Sequence, residues 1–112
     1  MGHHQPSHVL TNDDLARTVD TSDEWIRSRV GIESRRIADK DALLVDMAAD
    51  AGTRALKDSG VDPAEVGAVI VATCTMPDPI PNAAAQVAHR IGIPAPAAFD
   101  LNTACSGFSY GI

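Results

Sequence analysis

The strongest periodic signal runs from residue 41 to 60, DALLVDMAADAGTRALKDSG. Leu44, Met47 or Ala48, Ala51, Ala55 and Leu56 recur at helical spacing there, and Gly60 fits the position just past a last turn. GAVIVATC follows at 67–74 as a near-continuous β-branched run, which predicts a strand buried on both faces of a sheet. MPDPIPN cannot be regular structure, because three prolines remove donors and fix φ. Asn82 is then placed to cap a helix over AAAQVAHRIG, which Gly92 closes, and AAFDLN predicts a second short buried strand leading into Cys105.

Upstream, LTNDDLARTVD predicts a short helix capped by Asn12 or Thr11, with acids in its first turn. DTSDEWIRSRVG predicts a second, with Thr21 and Glu24 at capping-box spacing and Gly31 as the stop, and IESRRIA reads as a strand or extended arm. The order is helix, helix, extended arm, helix, strand, helix, strand, incipient helix. Strands alternating with helices predict α/β architecture with a parallel sheet. Two strands with three flanking helices close a sheet poorly, so the pattern predicts part of a larger layered fold.

Composition narrows the function classes. The 112 residues are 45% apolar but only 4% aromatic, and their net charge is −6. No Lys/Arg cluster stands out beyond the short ESRR, which argues against a nucleic-acid partner. No apolar run approaches the roughly 18 residues of a membrane span. The polar start MGHHQPSH does not resemble a signal peptide, so the expected compartment is the reducing cytoplasm. His3, His4 and His8 lack a second ligand cluster, and His89 falls on a helix surface, so no metal site is expected.

Two cysteines remain, Cys74 and Cys105, without C-x-x-C spacing, which disfavours a redox thiol pair. Cys105 follows a strand and opens a helix among Ala104, Ser106 and Gly107. Unpaired backbone N–H groups at such a position favour thiolate, the nucleophilic form, and small neighbours admit a substrate. Serine hydrolases place their nucleophile on a similar elbow. Position and neighbours alone leave a nucleophile and a buried structural cysteine both open. Cys74 precedes a proline loop rather than a helix, and reads as packing.

DLNTACSGFSYG resembles the active-site segment of the thiolase-fold condensing enzymes, and specifically of β-ketoacyl-acyl-carrier-protein synthase III. TNDDLARTVDTSDEWIRSRVGIESRRIA is similar to that family's N-terminal signature, and VIVATCT with the proline loop matches in place. The resemblance covers essentially residues 2–112. It implies a mostly parallel layered thiolase-like fold, of which 1–112 is an N-terminal part, truncated at both ends. It further implies decarboxylative Claisen condensation: an acyl group passes from coenzyme A to Cys105, and malonyl-acyl-carrier protein loses CO₂ and attacks the thioester. The backbone N–H of Cys105 would help form the oxyanion hole.

By the same resemblance Trp25 stacks on the adenine of coenzyme A, Thr21 and Arg29 lie along the nucleotide site, and Ile80 reaches across a homodimer to end the partner's acyl pocket. Helical spacing would set positions 21, 25 and 29 on one face. A branched aliphatic at Ile80 implies room for longer or branched primers. Coenzyme A is here a substrate, and no cofactor is implied. Each residue also has a plainer reading: Thr21 as a cap, Arg29 as a solvated charge, Trp25 as core. The family's catalytic His and Asn have no counterpart in 1–112, so the expectation for this chain alone is no condensing activity and a tendency to aggregate. A priming ketosynthase of a polyketide pathway shares the cysteine chemistry. A non-catalytic remnant that keeps only dimer-forming elements is the reading from a different class.

Overall fold

The computed structural model describes residues 1–112, which form two compact units, Gln5–Ala42 and Met1–His4 with Leu43–Ile112.

In the first unit, β1 (His8–Thr11) pairs antiparallel with β2 (Ser34–Ile37), with His8 opposite Ile37 and Thr11 opposite Ser34. β2 answers the extended arm expected at IESRRIA, whereas β1 was not foreseen: HVLT is too short to show alternation. Thr11 ends β1 and caps α1 (Asn12–Ala16) in a capping box with Asp14. α2 (Asp23–Val30) closes at Gly31, whose φ of 71° is the left-handed conformation glycine adopts without a Cβ penalty.

The capping box expected for Thr21 and Glu24 does not form. α2 begins one residue later, and the Ser22 hydroxyl accepts from the Trp25 N–H at 3.1 Å. Asn12 is the buried polar centre of this unit, 1% exposed. Its amide donates to Asp23 Oδ1 at 2.8 Å and to the Ile32 carbonyl at 2.7 Å, and its Oδ1 accepts from Arg35 Nη2 at 2.9 Å. One side chain thus ties the start of α2, the residue after its glycine stop, and β2.

The second unit holds α3 (Leu44–Ser59), β3 (Ala68–Ala72), α4 (Ala83–Ile91), β4 (Ala97–Leu101) and the short α5 (Gly107–Gly111). A 3₁₀ turn at Pro63–Glu65, capped by Asp62, joins α3 to β3. β3 and β4 are parallel, with Ala68 opposite Ala97 and Ala72 opposite Leu101, as the alternation of strand and helix predicts. The core is Val45, Ala49, Ala83 and Val87, with Leu44, Ala48, Val69, Val71, Met76 and Ile91 packed around it. On α3, Leu44 and Ala48 belong to the expected face, but the deepest residues are Val45 and Ala49, one step round the helix toward α4. Gly52 lets α4 come close: a Cβ there would stand 2.5 Å from Ile91 Cδ1.

Within these 112 residues only one face of the strands is covered. Val69 and Val71 point into the core, while Ile70 and its register partner Phe99 are exposed on the opposite face, at 39% and 44%. Sequence pattern reports which residues are apolar, not which layers are present to cover them.

Two carboxylates carry an acid-sensitive part of the stability. Asp14 is held below the ordinary 3.8 chiefly by its hydrogen bonds from Thr11, and Asp50 by those from His4 and then Arg54. His4 Nδ1 lies 2.7 Å from Asp50 Oδ2, and Arg54 Nη2 3.0 Å from it. A depressed carboxylate stabilises fully above its unfolded value and loses that contribution as pH falls through its lower folded value. Urea midpoints are therefore expected to lose the contribution of these two groups below about pH 4, and Asp50→Asn to flatten part of that acid limb. An acid limb unchanged in Asp50→Asn would refute the assignment.

Candidate functional site

β4 delivers the chain into a tight turn. The ladder extends one step past the strands through Thr73 N–H to the Leu101 carbonyl at 2.9 Å. Ala104–Ser106 then form a 3₁₀ turn, closed by Ser106 N–H to the Thr103 carbonyl at 3.0 Å, and α5 follows. Cys105 sits at the middle of this turn, exposed and unbridged. Within these 112 residues the thiol is not a buried packing group.

Directly before it, Ala104 has φ of 46°, the one non-glycine residue with positive φ. Such a residue costs about 1–2 kcal/mol and persists only where its surroundings over-determine it. Gly107 supplies part of that frame: a Cβ there would lie 3.0 Å from the Ala72 Cβ, so α5 rests directly on the end of β3. The Thr103 hydroxyl is buried and has no partner within the protein.

The residues expected at a nucleotide site lie together in the other unit. Trp25 is 56% exposed on α2, and the Arg29 guanidinium lies 5.4 Å from its ring centroid, a cation–π pair across one helical turn. Thr21 lies outside the helix, in the extended lead into Ser22, so the single helical face expected for 21, 25 and 29 holds only for 25 and 29. Thr21 and Trp25 nevertheless meet in a cavity of about 390 Å³ that Asp20 and Ser22 complete. The Thr21 hydroxyl is shielded and has no hydrogen-bond partner.

Ile80 is 85% exposed beside the cis Ile80–Pro81 bond, and it borders a cavity of about 250 Å³ with Leu43, Met76, Pro77 and Gln86. Cys74 is a correction. It is exposed, in a bend two residues past the end of β3. No group of three or more His, Cys, Asp or Glu side chains is arranged to hold a metal ion, and His89 is exposed on α4.

Sequence reasoning passed over Asp100. Its carboxylate, pointing to the core side of β4, accepts from the Ala83 and Ala84 N–H groups at 2.8 Å each. Asn82 caps the same helix and also donates to the Ala98 carbonyl at 3.0 Å. The available signal was an acid inside an otherwise apolar strand run, which must find donors to be tolerated there.

The chain as a whole has relatives among known proteins. A β-ketoacyl-[acyl-carrier-protein] synthase III of Streptomyces coelicolor is 55% identical over 112 residues, all of this chain and 35% of the relative. One from Streptomyces avermitilis is 53% identical, again over the whole chain and 36% of the relative. Over its whole length the chain is similar to β-ketoacyl-[acyl-carrier-protein] synthases III. It spans about a third of the length of these curated relatives.

Solved structures agree on the fold. The 3-oxoacyl-[acyl-carrier-protein] synthase III of Aquifex aeolicus superposes with a TM-score of 0.90 at 43% identity, over 97% of this chain and 35% of that one. The priming β-ketosynthase of the R1128 polyketide pathway superposes at 0.91 and 38% identity, over 97% and 33%. The architecture is thiolase-like α/β, as the synthase resemblance implies. No protein-family model matches the chain.

Proposed function

We propose that the protein serves the initiating condensation of fatty-acid synthesis, in which Cys105 accepts an acyl group from an acyl-coenzyme A. The observation that carries this reading is the exposed Cys105 on the turn strained at Ala104, in a chain 55% identical throughout to a β-ketoacyl-acyl-carrier-protein synthase III. In the first half-reaction the Cys105 thiolate attacks the thioester carbonyl. The new sulfur–acyl bond forms as the bond to the coenzyme A sulfur breaks, and coenzyme A leaves as a thiolate that takes up a proton. The acyl group then awaits the carbanion that malonyl-acyl-carrier protein releases with CO₂.

The Trp25 ring face not stacked by Arg29 is the proposed platform for adenine, with Thr21 beside it and Arg29 as the positive group nearest the phosphates. Ile80, unshielded within its own chain, fits a role at the pocket of a homodimeric partner. Coenzyme A enters as substrate, with no resident cofactor. The acidic chain favours neither nucleic acid nor membrane, no helix is long and apolar enough to cross a bilayer, and the cytoplasm is the proposed location.

Intact-mass and peptide analysis after incubation with acetyl-, isobutyryl- and octanoyl-coenzyme A tests both nucleophile and pocket. The expected result is an acyl mass on the Cys105 peptide from more than one donor. Label on no peptide would sink the functional reading in favour of a non-catalytic remnant, and strict acetyl preference would sink the pocket role of Ile80. Trp25→Ala is expected to raise the half-saturating acyl-coenzyme A concentration about ten-fold, since base–aromatic stacking is worth roughly 1–3 kcal/mol, with the saturating rate little changed. A half-saturating concentration equal to wild type would remove Trp25 from the site.

A polyketide priming role is the second reading, favoured by the superposition on the R1128 priming ketosynthase. The same acyl-donor series, followed by a choice of acyl-carrier protein, separates the two.

A further inference from the structure

We infer that Asp100 is a positioning residue for Cys105, acting through the N-terminus of α4; this rests on the acyl-transfer role proposed for that cysteine. Asp100 is the penultimate residue of β4, in register with Val71, and alternation turns its side chain toward the core face that carries Val69 and Val71. A carboxylate facing a hydrophobic layer costs several kcal/mol unless it is bonded. Here both oxygens are used: Oδ2 accepts from Ala83 N–H and Oδ1 from Ala84 N–H, each at 2.8 Å. Ala83 and Ala84 are fully buried, so these first-turn donors have no access to water as an alternative. The negative charge also lies at the positive end of the nine-residue α4.

Asn82 adds a second tie from the same helix end, its Nδ2 donating to the Ala98 carbonyl at 3.0 Å while its Oδ1 caps Ala85 N–H at 3.2 Å. Two alternate residues of β4, Ala98 and Asp100, are therefore bolted to the start of α4, whose first residue, Ala83, belongs to the core. The strained Ala104 lies four residues beyond Asp100 and Cys105 five. A left-handed alanine relaxes wherever its flanks are free to shift. On the strand side the flank is held by Asp100, Asn82 and the Thr73–Leu101 bond, and on the helix side by Gly107 seated on Ala72. Of these, the Asp100 pair joins the elbow strand to the core by a charged group, and a charge-assisted bond is about twice as strong as a neutral one.

Asp100→Asn and Asn82→Ser in the full chain test the clamp. The first leaves an acceptor for only one of the two N–H groups. The second keeps a capping hydroxyl on α4 but cuts the tie to Ala98. Val87→Ala on α4 serves as a control that lowers stability without touching either tie. Two readouts are taken well below the melting temperature: amide hydrogen exchange over residues 102–107, and single-turnover acyl transfer to Cys105 by intact mass.

Both clamp variants are expected to raise exchange in that segment above the control. Asp100→Asn is also expected to lower the saturating acyl-transfer rate about ten-fold or more, with the half-saturating acyl-coenzyme A concentration little changed, as misplacement of a reacting group predicts. Exchange and rate indistinguishable from Val87→Ala would overturn the inference and leave Asp100 as a stabilising cap. Absence of acyl transfer in the wild-type protein, with faster exchange in the clamp variants, would instead overturn the functional reading while leaving the clamp itself supported.

Discussion

Cys105→Ala is expected to abolish acyl-enzyme formation, with transfer from acyl-coenzyme A falling by at least about a thousand-fold, because no other group on the turn can form the thioester. The physical case rests on three features. The thiol is exposed and unbridged, its turn is strained at Ala104, and Gly107 brings α5 down onto Ala72. Cys74→Ala provides the contrast: that cysteine is also exposed, but it stands in a bend leading to a proline loop, and its removal is expected to leave the acyl mass unchanged. Intact mass of both variants after one incubation decides the matter. Label that survives in Cys105→Ala and disappears in Cys74→Ala would exchange their roles and refute the assignment of the elbow.

Asn12→Ala is expected to produce the largest loss of stability, about 2–4 kcal/mol, because it removes three hydrogen bonds of a buried side chain at once, two of them to charged groups. Asp23 loses the amide at 2.8 Å, the Ile32 carbonyl loses its donor at 2.7 Å, and Arg35 loses its acceptor at 2.9 Å. Asn12→Asp is expected to be no better: it would set a carboxylate against that of Asp23, and like charges at hydrogen-bond distance repel. Urea unfolding with comparable slopes gives the difference directly from the midpoints. A loss below about 1 kcal/mol in Asn12→Ala would mean that the unit relaxes around the gap and that the network does not anchor α2. Because Asp23 opens α2 and Ile32 follows its stop, the same variant is expected to weaken nucleotide binding through Trp25 as well.

Much of the fold and of the candidate site was legible in the sequence, for reasons that are local. Asn82, Gly31, Gly60 and Gly92 mark helix ends through the donors and backbone conformations they supply, and each does so in the structure. The β-branched run at 68–72 and its partner at 97–101 form the parallel pair that their alternation with helices implies. Cys105 could be singled out because a small-residue turn between strand and helix needs few residues to specify it. The acyl-transfer chemistry came from the synthase resemblance rather than from periodicity.

Only the tertiary structure decided the rest, because it depends on partners distant in sequence. Thr21 reads as a cap by spacing, yet Ser22 takes the role once α2 starts at Asp23, and Thr21 is left with an unpartnered hydroxyl beside Trp25. Ile70 and Phe99 read as buried by composition, yet within these 112 residues they are exposed, since no pattern within a strand tells which elements cover its faces. Asp100 lies unremarked within the short run AAFDL, yet across sixteen and seventeen residues of sequence it meets the two backbone donors that fasten the cysteine's strand to α4. Sequence alone determined most of the elements, several of their ends and the candidate cysteine's place between strand and helix, because caps, periodicity and turn residues act over a few neighbours. The frame around Cys105 and its strained turn was decided by long-range hydrogen bonds and by the close approach of Gly107 to Ala72, contacts that exist only once the helices and strands have packed.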